Sequence, residues 1–301
     1  MILVTGGTGF VGPKVVHALR GEERPVRVLA RRPEKHEDLP SSGCEVVAGD
    51  VTDPESLRGA VEGCEAVVHL IGLPPFSNPK AIERVMAQGT RDLVTAAKEA
   101  GVSRFVLMSA LGTSEETVDV APYYAAKLAM EEAVKASGLE HVIFRPSFIF
   151  GRDGGLLAQQ IRIVRLSPVT PVLSRHRMQP IWVEDVAAFF AKAVSAPEAA
   201  NRTFDIGGPD RVTWAELHER IRRILGKRRL TVAMPPGLLK AGAQVGRLLP
   251  PFRGAPDAIE MLDYGDNVGD PEPATETFGI KPIGLDEQIR RAGSAAQHDE
   301  S

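Results

Sequence analysis

Short apolar runs alternate with stretches of helical period along the first half of the chain. The runs Ile2–Thr5, Val26–Ala30, Glu45–Ala48, Ala66–Leu70, Arg104–Met108 and His141–Arg145 read as strands. Helices are predicted between them, near 11–21, 54–61, 80–100 and 122–137. In the first, Val11, Val15, Ala18 and Leu19 recur at helical spacing; in the third, Val85, Met86, Leu93, Ala96 and Ala97 mark one buried face. Near-continuous apolar strands such as Phe105–Met108 are expected where a sheet is covered on both faces. The alternation therefore predicts an α/β fold, a doubly wound parallel sheet with helices on both sides.

After Pro146 the pattern breaks into shorter pieces with frequent proline and glycine. A helix is predicted near 154–166, a strand at Gln179–Val183, a helix at 184–195, a strand at Thr203–Ile206 and a helix at 213–226 capped by Thr213. Leu238, Ala241, Val245, Leu248 and Leu249 give an apolar stripe within Pro235–Phe252, readable as core or as a docking surface for a partner or membrane. The expected organisation is a nucleotide-binding unit over 1–150 and a small α+β, substrate-facing lobe over 151–301, interleaved with it and ending in a polar tail from about 293.

The first strand ends in a glycine cluster, Thr5-Gly6-Gly7-Thr8-Gly9-Phe10-Val11-Gly12, and a helix begins at once. Glycine at 6, 9 and 12 permits a sharp turn, close approach to a pyrophosphate and tight packing of helix on strand. The unpaired amides and positive end of the helix suit that negative charge. Pro13 fits the first helical turn. The Gly-Lys-Ser/Thr ending of a nucleoside-triphosphate loop is absent, so a dinucleotide is the expected ligand.

Bulk properties remove other classes. With 36 basic and 39 acidic residues the net charge is -3, and no basic stripe marks a nucleic-acid partner. Cys44 and Cys64 are the only cysteines, and the seven histidines do not cluster, so no metal site is expected. No apolar run approaches the ~20 residues that span a bilayer. The first strand begins at Ile2, which leaves no room for a signal peptide, and a cytoplasmic setting is the expectation.

Other positions refine the site. Ala30-Arg31-Arg32 ends the second strand where a carboxylate would favour NAD; two guanidinium groups favour the 2′-phosphate of NADP(H), the alternative being two solvated surface arginines. Asp50 and Val51 end the third strand, where Asp50 either accepts the adenine amino proton or closes a turn. Leu70 and Gly72 follow the fourth, where backbone must pass close to the cofactor. Tyr123 and Lys127 lie one turn apart on the helix after the fifth strand. An ammonium there is expected to stabilise phenolate, lower the tyrosine pKa and make it an acid or base. Tyr124 is expected to pack elsewhere.

These motifs resemble the short-chain dehydrogenase/reductase superfamily, on its extended and atypical side, with a Rossmann-type fold. Arg104–Gly112, Arg145–Gly151, Gln179-Pro180-Ile181, Glu184–Ala187, Gly207-Gly208-Pro209, Asp266-Asn267 and Phe278-Gly279-Ile280 resemble the atypical group related to the NAD(P)H-binding accessory subunit of respiratory complex I. The resemblance implies cofactor contacts from Gly6, Thr8, Gly9, Phe10, Val11, Gly12, Arg31, Arg32, Asp50, Val51, Leu70, Gly72, Lys127 and Pro146, with Tyr123 and Lys127 catalytic. It also implies dimerisation through the helices near 80–100 and 122–137. The family's catalytic asparagine and serine are replaced by Met86 and Ala110; Ser109 faces the wrong side, leaving Thr113 or Ser114 to supply a hydroxyl. The expected function is an oxidoreductase acting on an unidentified carbonyl or alcohol. The alternatives are a non-catalytic NADP(H)-binding assembly or redox-sensing protein, with a protein partner at the C-terminal lobe, and a nucleotide-sugar epimerase or dehydratase.

Overall fold

The computed structural model describes residues 1–36, 43–152, 154–167, 169–172, 175–227, 230–233 and 255–295. The apolar runs form the parallel strands β1 (Ile2–Thr5), β2 (Val26–Ala30), β3 (Glu45–Ala48), β4 (Ala66–His69), β5 (Arg104–Met108) and β6 (Glu140–Pro146). The strand Arg202–Ile206 completes a seven-stranded sheet in the order Arg202–Ile206, β6, β5, β4, β1, β2, β3. Each pairing is parallel, with β1 central between β2 and β4.

Strand alternation divides the core between the two faces. Ile2 and Val4 of β1 join Val26, Val28, Val68 and Phe144 under α1 (Gly12–Gly21). Leu3 points the other way, with Leu29, Val67, Phe105 and Leu107, under α2 (Pro54–Val61), α4 (Gly89–Glu99) and α5 (Pro122–Ala136). The helix expected over 80–100 is not uniform. It starts as α3 (Pro79–Ile82), widens into a π turn over Glu83–Gln88 and continues as α4. Gly89 permits the join, because a Cβ there would stand 3.1 Å from the Val51 carbonyl oxygen. The π turn buries Met86, whose Sδ accepts the Leu73 N–H at 3.4 Å.

The C-terminal half is shared between two places. Its helix α6 (Gly155–Leu166) and helix α8 (Trp214–Ile224) build a lobe with its own core of Phe150, Leu157, Ile161, Trp182, Trp214, Leu217, Leu285 and Ile289. Thr213 caps α8 in a reciprocal box with Glu216. By contrast, α7 (Val183–Ala193) packs against α1, and the strand read as part of the lobe at Thr203–Ile206 is an edge of the main sheet instead. The reason is aromatic. Phe144 of β6 stands 4.9–6.0 Å, ring to ring, from Phe189, Phe190, Phe204 and Phe278, drawing β6, α7, the edge strand and the helix Glu272–Phe278 into one cluster. The apolar stripe of Pro235–Phe252 lies outside the described residues. Of the polar tail, residues 293–295 finish the helix Leu285–Ala295, and the rest lies outside them too.

A buried ion pair fixes the strand ends that carry the site. The Glu131 side chain on α5 is fully buried. It accepts two hydrogen bonds of 2.7 Å from Arg145 of β6, one of 2.6 Å from Ser109 and one of 3.0 Å from Lys135. Burial alone would raise its pKa, but these donors hold it below the usual carboxylate value. Removing the carboxylate leaves the Arg145 guanidinium, one quarter exposed, and the buried Ser109 hydroxyl without their acceptor, so Glu131→Ala is expected to cost about 1–3 kcal/mol, measured by urea unfolding.

Candidate functional site

The predicted site residues lie where the parallel strands end at their C-terminal edge, the place where open α/β sheets bind ligands. After β1 the chain turns through Gly6, with φ +74°, and Gly9 donates its N–H to the Gly6 carbonyl at 3.1 Å. A Cβ on Gly12 would lie 2.3 Å from that carbonyl oxygen and 2.5 Å from Gly7. Only glycine lets α1 begin this close to the turn, and the start of α1 has no side-chain cap. The backbone between Thr8 and Gly12 is thereby wrapped around the positive end of a helix, a cradle that fits a pyrophosphate. Gly6 abuts the Leu70 carbonyl carbon, 3.1 Å from its Cβ position, so the turns after β1 and β4 touch.

Arg31 and Arg32 are exposed after β2, and their side chains have no hydrogen-bond or ion-pair partner among the described residues. Asp50 closes a turn after β3: its Oδ1 accepts from the Thr52 N–H at 2.8 Å and the Thr52 hydroxyl at 2.9 Å. Val51 is buried beneath Gly89. Pro146 ends β6, and its carbonyl accepts the Leu111 N–H at 3.0 Å.

Tyr123 and Lys127 sit in the first two turns of α5. Lys127 is 1% exposed; its Nζ donates to the Met108 carbonyl at 2.7 Å, stands 5.8 Å from the Tyr123 ring centre and lies 3.7 Å from the Cβ position of Gly72. The residues predicted after β4 and after β5 therefore meet at one point. One expectation is corrected. Burial pushes the Lys127 ammonium down to about 7 and raises the Tyr123 phenol above its ordinary value. The lysine lies over the ring and spends its bond on Met108, so desolvation outweighs the attraction expected to lower the tyrosine pKa. At neutral pH Tyr123 is a neutral phenol, equipped to give a proton rather than take one.

The hydroxyls near the tetrad gap are spent elsewhere. Ser109 points down to Glu131, as the strand alternation predicts. Thr113 is buried and donates to the Ala110 carbonyl at 2.7 Å, so it does not supply the missing hydroxyl; Ser114 caps the short turn Glu115–Thr117. Tyr124 is buried with its hydroxyl against Gly112, 3.2 Å from that residue's Cβ position.

Sequence reasoning missed His69, the last residue of β4. It is fully buried between Thr5 (Nδ1 to Oγ1, 2.6 Å) and Thr90 (Nε2 to Oγ1, 2.9 Å). Thr90 donates its own proton to the Met86 carbonyl at 2.5 Å, so it accepts from His69 Nε2–H, and Nδ1 accepts from Thr5. The ring is thus neutral in a single tautomer and ties β1, β4 and α4 together. Burial, with Lys127 nearby, lowers its pKa to about 3. Folded and unfolded states then differ in bound protons between about pH 3 and 6.5, the unfolded chain holding more. Stability is expected to fall as the pH drops through that window, and His69→Gln should flatten the fall, read from unfolding free energies at each pH.

Among the described residues no group of histidine, cysteine and acidic side chains could hold a metal, and no helix is long and apolar enough to cross a membrane. What the geometry defines is a Rossmann-like α/β fold with a glycine cradle after β1 and a tyrosine–lysine pair at the same edge of the sheet. A profile of NAD(P)H-binding proteins matches residues 6–197, and the chain belongs to this NAD(P)H-binding family. It is 33% identical over 247 residues to a ceramide reductase of Caulobacter vibrioides (strain NA1000 / CB15N), which covers 81% of this chain and 77% of that protein. It is 28% identical over 297 residues to the mitochondrial NADH dehydrogenase (ubiquinone) 1 alpha subcomplex subunit 9 of Mus musculus, covering 94% of this chain and 77% of that one. The fold is shared with a triphenylmethane reductase of Citrobacter sp. complexed with NADP(H), at a TM-score of 0.80 and 21% identity over 97% of this chain and 99% of that one.

Proposed function

We propose that this chain is an NADP(H)-dependent reductase in which Tyr123 protonates the acceptor and Lys127 holds the nicotinamide ribose. The observation that carries this reading is the meeting of Lys127, Tyr123 and Gly72 beside the glycine cradle. The bound dinucleotide supplies the hydride. Arg31 and Arg32, their side chains exposed and without partners among the described residues, are the groups that select the 2′-phosphate. With its pKa raised, Tyr123 is in the neutral form, from which it donates a proton to the reduced acceptor and regains one from solvent.

The acceptor follows from what the site lacks. With Ala110 and Met86 in the family's polar positions, Tyr123 is the hydrogen-bond donor left for a developing oxyanion, and each donor lost from such a site costs on the order of 10²-fold or more. Acceptors that spread the incoming charge over a conjugated system, such as quinones or azo compounds, depend least on those donors. NADPH oxidation followed across quinones, azo dyes and simple aldehydes tests this: conjugated acceptors should turn over and aldehydes should not. A second reading, a non-catalytic dinucleotide-binding partner of a larger assembly, draws on the 94% coverage by the complex I subunit and on the same two tetrad gaps. Tight NADPH binding without oxidation by any acceptor would favour it.

A further inference from the structure

Phe10 stands in the middle of the glycine loop, and its ring bridges two layers: it packs against the α1-side core of the main sheet and rests on the first turn of the lobe. A Cβ on Gly151 would lie 2.7 Å from the ring's Cζ, one on Gly155 3.1 Å from the same atom, and one on Gly154 3.7 Å from Cδ2. The seat is a closed turn: Phe150 bridges Gly155, and Gly154 and Gly155 take φ of +150° and +72°. Gly155 is required for both the backbone and the ring, Gly151 for the ring and Gly154 for the backbone. From Gly155 the chain runs straight into α6, which buries Leu157, Ile161 and Val164 in the lobe core.

We propose that Phe10 is a positioning residue that couples dinucleotide occupancy to the placement of α6. The proposal rests on the dinucleotide reading above and goes beyond it. A pyrophosphate held by the amides flanking Phe10 fixes that residue's backbone, which fixes the ring, which fixes the glycine turn. The coupling is reciprocal, so a displaced turn loosens the loop in equal measure.

Hydrogen exchange on the full chain, with and without saturating NADP+, tests this. In the unmodified protein the dinucleotide should slow exchange at residues 6–12 and, by about fivefold or more, at residues 151–160. In Phe10→Ala at saturating NADP+ the loop should still slow while the slowing at 151–160 disappears. Phe10→Leu, which keeps an apolar body on the seat, should recover part of it and serves equally if the alanine variant does not fold. A loop that slows while 151–160 does not, in the unmodified protein, overturns the coupling and leaves the dinucleotide reading standing. Full slowing at 151–160 in both variants overturns it as well. Absence of any slowing or binding heat in the unmodified protein defeats both.

Discussion

Tyr123→Phe is expected to lower kcat for NADPH oxidation by roughly 10²-fold, the low end of a positioned proton donor's usual worth, because a conjugated acceptor leans on that donor least. Lys127 does not donate to the phenol; its short bond runs to Met108, and burial pulls its pKa down to about 7. Removing one hydroxyl therefore removes the proposed proton donor while leaving Lys127 and its bond to Met108 in place. NADPH affinity should change by only a few fold, so that the loss falls on kcat. Steady-state kinetics with the best acceptor, alongside NADPH titration of the same variant, separates the two effects. A variant that keeps wild-type kcat would take Tyr123 out of the chemistry.

The second large effect is expected at Gly12. An alanine methyl would have to occupy space 2.3 Å from the Gly6 carbonyl oxygen and 2.5 Å from Gly7, all of it backbone. Backbone cannot swing aside as a side chain can, so either the turn opens or α1 starts further away, and both spread the amides. The expected loss is on the order of 100-fold in NADPH affinity, about 2.7 kcal/mol at 1.4 kcal/mol per tenfold. Gly21→Ala, at the far end of the same helix, is the control, because its Cβ would meet nothing within 4 Å. Calorimetric titration of both variants, with thermal unfolding to confirm folding, should place the affinity of Gly12→Ala far below that of Gly21→Ala.

The strands were the most legible part of the molecule because burial on both faces writes an unbroken apolar run into the chain. Ile2–Thr5, Val26–Ala30, Glu45–Ala48 and Arg104–Met108 stand where the pattern puts them. The pattern says nothing about which strands neighbour each other, so the place of Arg202–Ile206 beside β6 emerges only with the aromatic cluster around Phe144. The π turn at Glu83–Gln88 is invisible to a 3.6-residue period because it shifts phase by one residue and then resumes. The lobe's two-residue strands, such as Ile149–Phe150 and Arg177–Met178, are too short to show any period.

The site divides in the same way. Glycine spacing announced the cradle, since each glycine answers to a local steric need. Tyr123 and Lys127 share one helix, so their one-turn spacing is readable. His69 is different: Thr5 and His69 face each other only through the register of β1 with β4, and Thr90 reaches the ring from a helix some twenty residues on. A lone histidine at the end of an apolar strand carries no signal of such a tie. The Phe10 seat depends equally on contact between distant segments. The sign of the Tyr123 shift was misread because spacing reports proximity to a charge and not the loss of water around it.

Calorimetric titration of the protein with NADPH and with NADH decides whether the glycine cradle and the two arginines bind a phosphorylated dinucleotide. Both should bind, NADPH more tightly by at least about tenfold, with the preference abolished in the Arg31→Ala, Arg32→Ala double variant and NADH affinity little changed. No heat with either dinucleotide would contradict that binding.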